Sequence, residues 1–221
     1  MTKSIYSIII LIFCIVTINH SVFGQSGNIK NDVFWNTVDG KPIYSQGGGI
    51  FKFADPTTGV KKYYWYGVHY QEAESYRNDP SVTSTKKCTF ESVTCYSSVD
   101  LVNWTSEGDV LTKEEVNKQG KTWVGRLGVA FIKELNKYAL IVQHGNKVMF
   151  AVSDSPTEQF TTHQEISMEA IIGTSNTGDQ TVFTDDVTGK SYLIYSYGRG
   201  RNKIYVSEIG VKNGKVDLLD C

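Results

Sequence analysis

Three stretches of this chain repeat one another at a spacing that few architectures use. KKYYWYGVHY leads to VTCYSSVDLVNW, NKYALIVQHG to VMFAVSDSPTEQF, and GKSYLIYSYG to KIYVSEIGV. Each is an aromatic-rich strand, a turn and a second strand that reaches a serine. Ser97, Ser153 and Ser207 stand 56 and 54 residues apart, and Tyr138 and Tyr192 are again 54 apart. A period of roughly 55 residues built from short strands and polar turns is the signature of a β-propeller blade. Tyr64 and Tyr138 are 74 residues apart, so extra residues lie inside the first repeat. Propellers close with four or more blades, and the sequence supplies about three with the start of a fourth.

Composition supports an all-β chain and narrows its partners. Tyr, Phe and Trp number 13, 10 and 4 in 221 residues, and such side chains favour a half-buried pleated surface. The formal net charge is −1, so no global field favours nucleic acid or an anionic membrane. A neutral partner fits better.

Residues 1–24 read as a signal peptide. Lys3 gives a positive start, Ile8 to Ile18 is apolar over the length of an h-region, and SVFG precedes Gln25. The apolar run is short for a bilayer span. The expectation is an exported protein, periplasmic or extracellular, that begins near Gln25 and has no membrane segment after cleavage. Cys14 leaves with the leader. Cys88, Cys95 and Cys221 remain, an odd number, and Cys88 and Cys95 flank TFESVT either as a hairpin bridge or as two free thiols. Without CxxC, HExxH or clustered histidines, no metal and no cofactor is expected.

Along residues 25–221, a polar segment over 25–40 is expected to wrap the surface before KPIYSQGGGIFKF opens the first blade. Gly47 to Gly49 imply close packing or a tight bend of the innermost strand. Gln71 to Cys88 reads as a polar surface insertion, Thr112 to Lys121 as about one helical turn, and Asp55 to Gly59 and Asp185 to Gly189 as hairpin turns. Asn103-Trp104-Thr105 matches an N-glycosylation sequon, with Trp104 expected to fill space between blades.

GGGIFKF…KKYYWYG, VTCYSSVDLVNWTSEGDVL and TGDQTVFTDDVTGKSYLIYS together resemble the first three blades of glycoside hydrolase family 43. The resemblance runs from about Ile43 to Asp220, is nearest to the exo-β-1,3-galactanase-like branch, and implies an incomplete five-bladed propeller. It further implies a secreted O-glycosyl hydrolase with an inverting acid/base mechanism, acting on galactan- or arabinan-type glycans. Asp179 in TGDQTVF matches the family's third carboxylate, which orients the acid and tunes its pKa. The first inner strand, IYSQGGGI, lacks the Asp that is the family's usual general base, as the galactanase-like branch also does. That branch's Glu-Arg-Pro stretch is here Gly125, Arg126 and Leu127, and the family's general acid, a Glu of the fourth blade, falls beyond Cys221. The chain alone is therefore expected to be inactive. The alternative is a carbohydrate-binding or interaction propeller without catalysis.

Substrate-binding candidates follow from strand position. Gln46 offers an amide to a sugar hydroxyl, and Arg126 a guanidinium. Trp65, Trp123 and Tyr197 offer rings to pyranose C–H faces or fill the core between blades, and Arg199 and Arg201 lie in a hairpin near the same end. The partner expected is a neutral polysaccharide or oligosaccharide.

Overall fold

A computed structural model describes residues 27–81, 88–118, 123–174, 177–198 and 200–219. The leader, Cys14, Arg199 and Cys221 lie outside the described residues. Strands alternate with tight turns throughout: β1 (Gln46–Ala54), β2 (Lys61–Tyr70), β3 (Phe90–Ser98), β4 (Thr105–Thr112), β5 (Val124–Ile132), β6 (Lys137–His144), β7 (Lys147–Ser153), β8 (Thr161–Ser167), β9 (Thr177–Thr184), β10 (Ser191–Tyr197), β11 (Lys203–Lys212) and β12 (Lys215–Leu218). Short helices α1 (Ala73–Asn78), α2 (Lys113–Asn117) and α3 (Glu169–Ile172) interrupt them.

These strands form three four-stranded sheets, β1 to β4, β5 to β8 and β9 to β12, each ordered as in the sequence and antiparallel. The innermost strands β1, β5 and β9 stand side by side, with β5 in the middle. This is a run of three propeller blades, all-β as the repeat requires. The expected start of a fourth blade is not among the described residues: Leu219 still donates its N–H to Glu208 of the third sheet, at 2.9 Å.

Matching turns set the hairpins. Asp55 Oδ1 accepts the N–H groups of Thr57 and Thr58 at 3.0 and 2.9 Å, and Asp185 Oδ1 those of Val187 and Thr188 at 2.7 and 2.9 Å. These local bonds preset the chain reversal before any sheet forms. The strand repeat is less regular than the sequence repeat. Tyr64 pairs with Ser97 and Tyr138 with Ser153, but Tyr192 pairs with Glu208, and Ser207 faces Leu193. A one-residue slip exchanges the faces of a strand. Ser207 is nonetheless buried, as Ser97 and Ser153 are, and its hydroxyl meets Tyr195 Oη at 3.0 Å.

Two cores hold the sheets together. Tyr64, Tyr66, Leu127, Leu140 and Phe160 fill the space between the first and second, and Ala130, Ile141, Phe150, Val182, Leu193 and Tyr195 that between the second and third. Tyr66 donates its hydroxyl to Pro156 O at 2.6 Å, and burial pushes its pKa well above the ordinary phenol value. The far face of the third sheet is open, with Phe183, Ile204 and Val206 exposed.

The polar segment before β1 does wrap the surface. It folds back through the Asn36–Pro42 bridge, and Val38 N–H bonds Trp104 O at 2.9 Å. Trp104 is fully buried there, edge-on to Trp65 at 5.3 Å, while Trp65 meets Trp35 at 5.6 Å. The sequon's tryptophan thus packs between the first sheet and this strap, not between blades. Cys88 is exposed and Cys95 buried, and the two are not bridged to each other. Cys95 Sγ lies 3.8 Å from Pro156 O, and burial raises its pKa.

The SSVDLVNW turn carries a pH-sensitive contribution. Asp100 accepts N–H groups from Asn103 and Val102 at 2.8 and 2.9 Å, with further bonds from Asn103 Nδ2 and Ser98 Oγ. The Asn103 backbone N–H contributes most to holding its carboxyl at about 2. An unfolded Asp titrates near about 3.9, so this stabilisation is complete above that pH and is lost as pH falls through about 2. Urea midpoints measured from pH 5 downward should fall more steeply for the native protein than for Asp100→Asn. Parallel curves would contradict the assignment.

Candidate functional site

A cleft of about 740 Å³ opens where the three inner strands begin. Gln46 starts β1, Gly125 and Arg126 start β5, and Asp179 lies near the start of β9, so propeller geometry gathers residues far apart in the sequence at one mouth. Gln46, Trp65, Trp123, Arg126 and Asp179 all line the cleft.

Asp179 is gripped from two sides. Its Oδ1 accepts Arg126 Nε at 3.1 Å and its Oδ2 accepts Arg201 Nη1 at 3.3 Å, although the side chain is 59 % exposed. Exposed pairs of this kind add about 0–1 kcal/mol to stability; what they fix here is direction. Arg126 also passes close to Gly47, where an added Cβ would lie 3.1 Å from Nη1.

Gly125 leaves room that its neighbours occupy. An added Cβ would fall 2.5 Å from Gln143 Oε1 and 2.6 Å from the Trp123 ring. The indole of Trp123, 40 % exposed, therefore lies against bare backbone and turns toward the cleft. Gln143 Oε1 accepts Arg126 N–H at 3.4 Å. No side chain fits at 125 without displacing both.

Trp65 reaches the cleft but is packed among Trp35, Tyr96 and Trp104. Tyr197 does not line the cleft. It is 1 % exposed within the core between the second and third sheets, edge-on to Tyr195 at 5.2 Å. Both tyrosines share one face of β10, and strand alternation turns that face inward, so Tyr197 has no free ring for a sugar. Arg201, in a hairpin that the sequence left ambiguous, does reach Asp179.

Sequence reasoning missed Phe34, Trp35, Tyr70, Glu72, Tyr76 and Arg77, which also line the cleft. Tyr70 donates to Val124 O at 2.7 Å, joining the first two blades, and burial pushes its pKa up to about 12, so it stays a neutral donor. Glu72 receives Thr89 N–H at 2.8 Å and Thr89 Oγ1 at 2.6 Å. Among the described residues lining the cleft, the carboxylates are Glu72 and Asp179, and both are engaged. The arrangement offers amide and guanidinium donors, one fixed carboxylate and aromatic faces, which is the chemistry that binds polyhydroxylated ligands.

The sequence profile described as Glycosyl hydrolases family 43 matches residues 54–217, from the last residue of β1 to Asp217 in β12. The chain belongs to that family. Among solved structures it is similar to an exo-β-1,3-galactanase from Clostridium thermocellum, with 21 % identity over 86 % of this chain and 40 % of that one and a TM-score of 0.65. A Phanerochaete chrysosporium exo-β-1,3-galactanase solved with galactose gives 21 % identity, 87 % and 41 % coverage and a TM-score of 0.63. A family 43 β-1,3-galactosidase solved with galactodeoxynojirimycin gives 21 %, 86 %, 64 % and 0.62. At these identities the likeness is one of fold. The chain spans about two fifths of the length of the galactanases. No curated protein matches it.

Proposed function

We propose that this chain forms the sugar-gripping part of an exported family 43 glycosidase that acts on galactan- or arabinan-type glycans with inversion. Asp179 is its orienting carboxylate, and Gln46, Arg126 and Trp123 hold the sugar. The observation that carries this reading is Asp179 held between Arg126 and Arg201 at the mouth of the inner strands. A carboxylate whose two oxygens are each held by an arginine is fixed in direction, which suits it to aligning a neighbouring acid or a sugar hydroxyl. The family likeness of the fold supports the substrate class, and residues 1–24 support export.

A second reading, a sugar-binding propeller without catalysis, is favoured by the engagement of both cleft carboxylates. Titration calorimetry on residues 25–221 with galactose and β-1,3-galactobiose, and with arabinose and an arabino-oligosaccharide, tests what the two share. Saturable binding to at least one pair is expected. Asp179→Ala should weaken it about tenfold, the size of one charge-assisted hydrogen bond, while shifting the melting point little. Heat-silent mixing with every sugar, confirmed by unchanged Trp fluorescence, would end both readings.

A further inference from the structure

β1 begins at the cleft and ends at a second pocket, of about 400 Å³, between the first two sheets at the opposite end of the blades. The turn after β1 supplies Asp55, β2 supplies Lys62 and Tyr64, β4 supplies Glu107, and the loop after β7 supplies Asp154 and Glu158. Four carboxylates thus meet two cations, Lys62 and the Lys137 that grips Asp154 at 2.6 Å, which leaves two negative charges in surplus. The carbohydrate reading uses none of them.

Tyr64 separates this pocket from an ordinary acidic rim. Of the other tyrosines on β2 that reach toward the second sheet, Tyr66 donates to Pro156 O at 2.6 Å and Tyr70 to Val124 O at 2.7 Å. Tyr64 is 1 % exposed and lines the pocket, yet its hydroxyl makes no hydrogen bond to any described residue. A buried phenol ordinarily has a partner. Burial first, and then the Asp55 and Glu107 carboxylates, raise its pKa, so it remains a neutral hydroxyl beside negative charge.

The existing bonds of the carboxylates decide which cation fits. Asp55 is taken up by its own turn and by Lys62 at 2.7 Å, Glu107 has one oxygen on Ser97 Oγ, and Asp154 has one on Lys137. None of these three can offer both oxygens to a planar guanidinium fork. Among the described residues, no three His, Cys, Asp or Glu side chains are grouped to hold a metal ion. Single oxygens spread around a phenol suit the three diverging donors of an ammonium.

We propose that this pocket binds a small primary alkylammonium ligand, held by Tyr64 Oη, Glu107 and Glu158, with its carbon chain against the Tyr64 ring and Pro56. The ligand bridges the first and second sheets, so occupancy stabilises their docking.

The test is titration of the protein with butylamine, followed by calorimetry and by melting temperature. Saturable binding that weakens as salt is raised is expected, with a higher melting temperature at saturation. Tyr64→Phe, which keeps the ring, and Glu107→Gln, which keeps an acceptor for Ser97, should each weaken binding roughly tenfold, the size of a hydrogen bond to a charged group. Asp179→Ala, at the other end of the blades, should leave it unchanged. Circular dichroism reports whether the sheets are intact, and if Tyr64→Phe does not fold, Glu107→Gln carries the test alone. No saturable binding of butylamine would overturn the site, as would an affinity that survives both substitutions. Tighter binding of butylguanidine, or of calcium chloride at matched ionic strength, would replace the ammonium by another cation and so also overturn it. Sugars take no part in these readouts, so the carbohydrate reading can fail while this proposal stands.

Discussion

Residues 25–221, assayed alone, should bind sugar yet cleave β-1,3-galactan and aryl galactosides on the order of 10²–10⁴-fold more slowly than the Phanerochaete chrysosporium galactanase under the same conditions. Inverting hydrolysis uses two carboxyl groups about 6.5–9.5 Å apart, one to protonate the leaving oxygen and one to activate water. Among the described cleft residues Glu72 is occupied by Thr89 and Asp179 by two arginines. Both are already committed to hydrogen bonds within the protein. Losing general acid catalysis alone costs a rate factor of that size. Product release followed over hours by chromatography gives the rate. Turnover comparable to the galactanase would show that a working acid and base lie among residues assigned other work here.

Gly48→Ala should lower stability by more than about 3 kcal/mol, beyond the usual range for overpacking. A Cβ at that position would stand 1.8 Å from Tyr66 O, a backbone atom of the neighbouring strand that cannot swing aside. The ladder between β1 and β2 is already irregular from Gln46 to Gly49, and Gly47 has φ of +68°. This bulge aims Gln46 into the cleft, so the substitution should lower sugar affinity together with the urea midpoint. Gly40→Ala is a useful comparison, because no atom lies within 4 Å of its added Cβ and only the cost of its positive φ applies. A stable Gly48→Ala protein with native affinity would show that β1 can re-register freely.

Much of the architecture was legible because propeller blades announce themselves locally. Strand, turn and strand recur with aromatic faces, and Asp55 and Asp185 close equivalent turns through bonds to their own neighbours. The mouth of the inner strands followed from the same repeat, and the family pattern pointed to Asp179. Choices settled by packing between sheets were not legible. Tyr197 reads equally as a ring for a sugar or as filling between blades, and only the packing of β10 against the second sheet decides for the core. Ser207 matches Ser97 and Ser153 in the sequence, yet the register in the third sheet is set by burial of Leu193 and Tyr195. The aromatic wall was the largest omission. Phe34 and Trp35 sit in a polar segment and Tyr76 in a polar insertion, and nothing periodic marks two segments that meet through Arg77 and through the Phe34–Tyr76 ring pair.

The order of strands within the sheets also bears on how the protein comes into being. Each sheet joins neighbours in sequence, so its contacts are local and its hairpins can form without waiting for the rest. The cleft is different. Arg126 must find Asp179 across 53 residues, and Arg77 must find Asn36 across 41. Such closures come late, after the separate meanders have docked along β1, β5 and β9. A nascent chain is therefore expected to be rich in β-structure well before its cleft is assembled, and the mouth of the inner strands is expected to be the last part to exist.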